Sequence, residues 1–186
     1  EVVEALRWAR GLLSGGTIAA ADIAITTPAP APWDDDMLSL SRGAELAVHF
    51  SHGVPALGTR EGQSCAALAD CLVQGLSQQR VRRVIRSLPP SRFRDRIPDQ
   101  WWKVLPPEAG LFTVDHWRQA CAKPDAGTAA GPLLELIELL ARGTDAAQDA
   151  GTLVLAGQSR LLWEAALRIA PAEAIHISLR DLRLPD

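Results

Sequence analysis

The chain has 186 residues, 47% of them hydrophobic and 22% charged, which is enough for one ordinary core, or one core with an inserted lobe, and is unlike a disordered tail. Its formal net charge of -3 gives no overall attraction for nucleic acid, and no apolar run reaches the roughly 20 residues of a bilayer-spanning helix. Three cysteines, Cys65, Cys71 and Cys121, are an odd number and no disulfide framework, so reduced thiols in a cytoplasmic protein are expected.

Val2, Val3, Leu6, Ala9 and Leu13 recur at helical spacing, which predicts a helix over Val2–Leu13 ended by Ser14-Gly15-Gly16. This acidic, amphipathic start differs from a basic-then-apolar secretory signal, and a helical pattern open from the first residues suggests a piece of a longer protein. Asp22–Thr27 is short, apolar and β-branched, the pattern of a buried strand in a parallel sheet. Pro28, Pro30 and Pro32 stiffen the connection to Trp33 and to a helix whose first turn carries Asp34, Asp35 and Asp36 near the positive end of its dipole. Gly43 should end that helix, and Leu46–Phe50 reads as a second strand. A further helix is expected from about Arg60, with Ala66, Leu68, Ala69, Leu72 and Val73 as its buried stripe.

Beyond Gly75 the pattern turns helical. Gln78–Leu88 places Val81, Val84, Ile85 and Leu88 on one face and Arg80, Arg82, Arg83 and Arg86 off it, until Pro89-Pro90 breaks the run. Short pieces follow around Pro98–Leu105 and Thr113–Ala122, then a loop over Lys123–Gly131. Leu133–Ala141 predicts a helix stopped by Gly143, with more helix from Asp145 and from Gln158 to Ile169. After Pro171 a strand pattern returns over Ala174–Leu179. The expected fold is therefore α/β, a small parallel Rossmann-like sheet flanked by helices. Residues 1–75 form its first part, 76–171 an inserted helical subdomain, and 172–186 the return strand.

Motifs for chemistry are missing from the sequence. Neither Lys103 nor Lys123 closes a Gly-rich phosphate loop, and no HExxH or CxxC spacing marks a metal site. His49 reads as a partly buried sheet residue and Asp34–Asp36 as an acidic helix start rather than as ligands. Pro98-Asp99 with Lys103 lacks the second acidic strand of a nuclease centre, and Gly157-Gln158-Ser159 lacks the closing glycine of a nucleophile elbow. No catalytic, metal-binding or cofactor-binding residue is therefore assigned. One cluster stands out: Arg80, Arg82, Arg83, Arg86, Arg92, Arg94 and Arg96 accompany a single acid, Asp95, and Trp101, Trp102 and Lys103 follow. Arginines neutralise phosphates and tryptophans stack on bases, the makeup of a single-strand contact surface. The plain alternative is a solvated face whose arginines pair with acids elsewhere, beside tryptophans of the core.

Ala21-Asp22-Ile23-Ala24-Ile25, the helix after Trp33, Ala47-Val48-His49-Phe50-Ser51-His52-Gly53-Val54-Pro55 and the helix opening Arg60-Glu61-Gly62-Gln63 together resemble the second motor domain of superfamily 1 helicases of the UvrD/RecB kind. The resemblance is closest to the helicase-like AddB-type subunit of AddAB helicase-nucleases. It covers about 75 residues, and more weakly the tail Ile175–Leu179. In that family a helical subdomain is inserted just after this last helix. Thr26-Thr27-Pro28-Ala29 stands where active members carry a nucleotide-binding arginine, as in helicase-like subunits without ATPase function. The resemblance implies a non-catalytic part of a helicase-like or nuclease protein of DNA repair and recombination. Its partners would be DNA, single-stranded or duplex, the remainder of a parent chain and a helicase-nuclease partner subunit, with no membrane. The alternative is a stand-alone protein-interaction or regulatory domain without DNA binding.

Overall fold

The computed structural model describes residues 1–88, 93–97, 101–104, 111–123 and 130–184. In chain order its helices are α1 (Val2–Ser14), α2 (Ala31–Gly43), α3 (Arg60–Gln74), α4 (Gln78–Ser87), α5 (Val114–Cys121), α6 (Ala130–Ala141), α7 (Ala147–Val154), α8 (Gly157–Ile169) and α9 (Ile175–Asp181). Single 3-10 turns lie between them, including Ala56–Gly58, Arg94–Arg96 and Trp101–Val104. The described strands are β1 (Val54–Pro55) and β2 (Arg183–Leu184), paired antiparallel with Val54 opposite Leu184.

The expected parallel sheet is overturned: the fold is mostly helical, and the one described sheet is this short antiparallel pair. Two of the three expected strands carry no regular secondary structure, although burial alternates along them. Over Ile23–Thr27, Ile23, Ile25 and Thr27 are half-buried while Ala24 and Thr26 are exposed, and Leu46, Val48 and Phe50 likewise point inward. Local sequence therefore set the inward face. A ladder also needs a neighbouring edge, and among the described residues neither segment has one. The third segment is a helix, α9. Ile175, Ile177 and Leu179 alternate like a strand, but Ile175, Ser178 and Leu179 also follow the i, i+3, i+4 helical rule. Packing on α3 and α8 chooses the second pattern, burying Ile175, Ser178 and Leu179 and leaving Ile177 exposed.

Helix α3 organises the larger core. Thr59 caps it, its hydroxyl accepting from the Gly62 amide at 3.0 Å, which satisfies one of the unpaired N–H groups of the first turn. Small side chains such as Ala67, Ala69, Cys65 and Cys71 let neighbours approach closely, and α3 packs against α4, α6, α7, α8 and α9. Its buried Leu68 and Leu72 join Val81, Val84 and Ile85 of α4, Trp117 of α5, Leu136 and Ile137 of α6, Trp163 of α8 and Leu179 of α9 in one cluster. At roughly 1.5–3 kcal/mol for each large side chain fully buried, this cluster dominates the favourable side of folding. Where α7 meets α8, Gly151 leaves room for Trp163: a Cβ at Gly151 would stand 2.1 Å from Trp163 Cδ1.

A second, smaller cluster holds the first fifty-odd residues together. Val2 and Leu6 of α1, Met37 of α2, Phe50 and Val54 bury one another, with Ile25, Trp33, Leu38, Leu46 and Val48 around them. Helix α2 starts at Ala31, earlier than expected, because Pro32 falls within the first turn, where its missing N–H costs nothing. It ends in a left-handed turn: Glu45 has φ +56°, and the Leu46 amide donates to the Ser41 carbonyl at 3.0 Å.

Candidate nucleic-acid interface

Helix α4 carries the basic segment. Ser77 caps it by accepting from the Arg80 amide at 3.2 Å, and Val81, Val84 and Ile85 turn one face into the core. The arginines must then occupy the rest of the surface, and the structure sorts them into distinct roles. Arg80 folds back over the end of α3, donating from Nη1 to the Gln74 carbonyl at 2.9 Å and from Nη2 to Gln74 Oε1 at 3.1 Å. A cation at a helix C-terminus meets the negative end of its dipole, so Arg80 acts as a cap. Arg83 donates from Nη1 to Asp70 Oδ2 at 2.6 Å, and His176 Nε2 approaches the other oxygen of Asp70 at 3.3 Å. Asp70 thereby ties α3 to α4 and lies beside α9.

Arg82 and Arg86 differ from these. The Arg82 guanidinium lies 4.4 Å from the centre of the Trp102 ring, a cation–π contact. Arg86, one turn further on the same stripe, is exposed and has no acidic partner among the described residues. Trp102 is half-buried, whereas Trp101 is buried and tilted against Trp117 with ring centroids 6.1 Å apart. Arg96 Nη1 lies 3.5 Å from Glu135 Oε2 on the surface. Arg92 lies outside the described residues, as do the side chains of Arg94 and Lys103. Of the ten positions singled out from sequence, the structure thus pairs half-buried Arg82 with half-buried Trp102 and places exposed Arg86 one turn further along α4, a partly exposed cationic and aromatic patch.

Sequence reasoning missed a second polar cluster. Asp34, in the first turn of α2, is 3% exposed, so its charge needs partners. It accepts from His52 Nε2, at 3.0 Å to Oδ1 and 3.2 Å to Oδ2, and from Arg183 of β2 through a short ion pair. Phe50 meets the His52 ring edge-on at 6.0 Å. The run Asp34–Asp36 hinted at a helix start but not at this pair, since Arg183 lies 149 positions away. His49, read as partly buried, is exposed. Among the described residues no group of three His, Cys, Asp or Glu side chains is placed to hold a metal ion.

Burial sets the thiols apart from any chemistry. Cys65 and Cys71 are pushed up to about 12, chiefly by loss of hydration, with the charges of Glu61 and Asp70 respectively adding to the rise. Cys121 is raised by burial as well. All three are free thiols, and each stays protonated and unreactive at neutral pH. A shallow apolar cavity of about 190 Å³ opens between the end of α3 and the start of α5, with exposed Phe112 at its lining. That volume is below the roughly 300 Å³ at which small-molecule sites begin.

Fold and patch together define a mostly helical domain with a cationic, aromatic surface. No family model matches the chain, and neither a curated protein nor a solved structure matches it. No described helix is long and apolar enough to cross a membrane.

Proposed function

We propose that this chain is a non-catalytic, cytoplasmic module that contacts DNA through the Arg82–Arg86–Trp102 patch. The setting suggested by its sequence resemblance is a helicase-like or nuclease protein of DNA repair and recombination, in which it would lie beside the rest of a parent chain and a partner subunit. The observation that carries the reading is the stacked Arg82–Trp102 pair next to an exposed Arg86 on a helix with no acid of its own. Guanidinium groups pair with phosphates, and a planar cation already resting on an aromatic ring offers its outer face to a base.

Fluorescence anisotropy with labelled single-stranded and duplex oligonucleotides tests it. Binding should weaken steeply between about 50 and 200 mM salt, and Arg82→Glu with Arg86→Glu should lower affinity at least tenfold and flatten the salt slope by about 2. Undetectable binding at about 50 mM salt, or an unchanged affinity in the double variant, would sink the proposal.

A second reading has an observation of its own. Arg80, Arg83 and Arg96 are already engaged with Gln74, Asp70 and Glu135, which is how arginines serve a protein-interaction or regulatory domain without nucleic acid. Under that reading the double variant leaves oligonucleotide binding absent throughout.

A further inference from the structure

The segment that follows α8 adds a second link between the two hydrophobic clusters, beside the chain itself, which passes from Val54 of the smaller to Ala56 of the larger. Ile175 and Leu179 of α9 are buried in the larger cluster, fixing one end of this segment to the helical body. Its other end reaches the smaller cluster. Leu182 accepts from the Ala56 amide at 3.0 Å, β2 pairs with β1, and Arg183 meets the buried carboxylate of Asp34. The fit there is close: Gly53 sits with φ +79°, and a Cβ on it would stand 2.6 Å from the Leu184 carbonyl oxygen.

We infer that Leu182–Leu184 is a releasable clasp that detaches from β1 and Asp34 while both clusters stay folded. Three observations converge on this. First, the attachment is light: a two-residue ladder whose half-buried Leu184, like Leu182, packs only on the outside of the larger cluster, whereas α9 behind it is anchored by fully buried side chains. Second, Asp34 has two partners. When Arg183 leaves, His52 Nε2 still lies within hydrogen-bond distance of both carboxylate oxygens, so opening does not leave the carboxylate without a donor. Third, the Arg183 side chain is 32% exposed and the His52 side chain 40%, so both reach water and neither has to be dragged through the core. Segments with few buried apolar contacts open at lower free energy than the global transition. Release uncovers the edge of β1 and the His52–Asp34 pair.

Amide hydrogen exchange on the whole chain, read by mass spectrometry, tests the clasp. Arg183→Gln should speed exchange at Val54–Ala56 and Leu182–Leu184 at least tenfold and leave α1, α2, α3, α6 and α8 at wild-type rates. The pair Val54→Cys with Leu184→Cys, opposite one another across the ladder, should slow the same amides at least tenfold once oxidised with glutathione disulfide, and return them to fast exchange after reduction. Equal acceleration of α3, α6 and α8 in Arg183→Gln would make this segment part of the global core. Acceleration of α1 and α2 would mean that the lobe unfolds instead of keeping its cluster. Unchanged ladder amides in both variants would mean that nothing is released. Each of these outcomes overturns the proposal.

Discussion

Gly151→Ala asks whether Trp163 is held as tightly as its surroundings imply. The added methyl carbon would stand 2.1 Å from Trp163 Cδ1 and 2.3 Å from its Nε1, well inside van der Waals contact. The indole cannot simply turn aside, because it is 1% exposed and its Nε1–H donates to the Ala147 carbonyl at 2.8 Å. Overpacking costs about 1–3 kcal/mol, and a buried donor forced off its partner costs about 1–3 kcal/mol more. Alanine recovers about 1 kcal/mol of helix propensity at this helical site, so the net loss should be about 3 kcal/mol. In a chain of this size that lowers the melting temperature by about 6–12 °C. Gly11→Ala is the control. It makes the same chemical change inside α1, where nothing lies within 4 Å of the new carbon, and should stabilise by about 0.5–1 kcal/mol. Urea unfolding followed by tryptophan fluorescence measures both variants. A Gly151→Ala protein as stable as the wild type would refute the packing described for α7 and α8.

Two further outcomes can be checked by the same unfolding assay. Glu45 holds a left-handed backbone that costs a side-chain-bearing residue about 1 kcal/mol, so Glu45→Gly should stabilise by about 0.5–1 kcal/mol while Glu45→Ile destabilises. The thiols predict an alkaline weakness: with native values of about 12 against an ordinary 9.0, the folded chain keeps two protons that the unfolded chain releases. The stabilisation is complete below pH 9 and drains away as the pH rises toward 12. With no tyrosine and only two lysines in the chain, few other groups titrate in that window. The urea midpoint should therefore fall steadily above pH 9, and Cys65→Ala with Cys71→Ala should flatten that fall; an unflattened curve would place the titration elsewhere.

The helices were legible because each carries its own period. Val81, Val84 and Ile85 announce the buried face of α4, and Ser77 and Thr59 supply caps where the hydroxyls are needed. The sheet was not legible, because an apolar alternation such as Leu46–Phe50 specifies an inward face but not the edge that would complete a ladder. Ile175–Leu179 satisfied two periods at once, and only the presence of α3 and α8 beside it decided between them. The arginine cluster was visible as composition. Its division into a helix cap at Arg80, a tie at Arg83, a cation–π contact at Arg82 and an exposed Arg86 depends on Gln74 and Asp70 of the preceding helix and on Trp102.

The Asp34–Arg183 pair also bears on the order of events during synthesis. At roughly 5–20 residues per second, the ribosome adds Arg183 some 7–30 s after Asp34. Throughout that interval the nascent α1–α2 lobe has His52 as the only described partner for its sequestered carboxylate and no opposing strand for β1. Closing so long a loop is entropically slow, and it comes only after the helices between have condensed. The α1–α2 lobe thus waits for a segment made 149 residues after Asp34 before its attachment is complete, and a chaperone acting in that interval would meet the lobe unfastened.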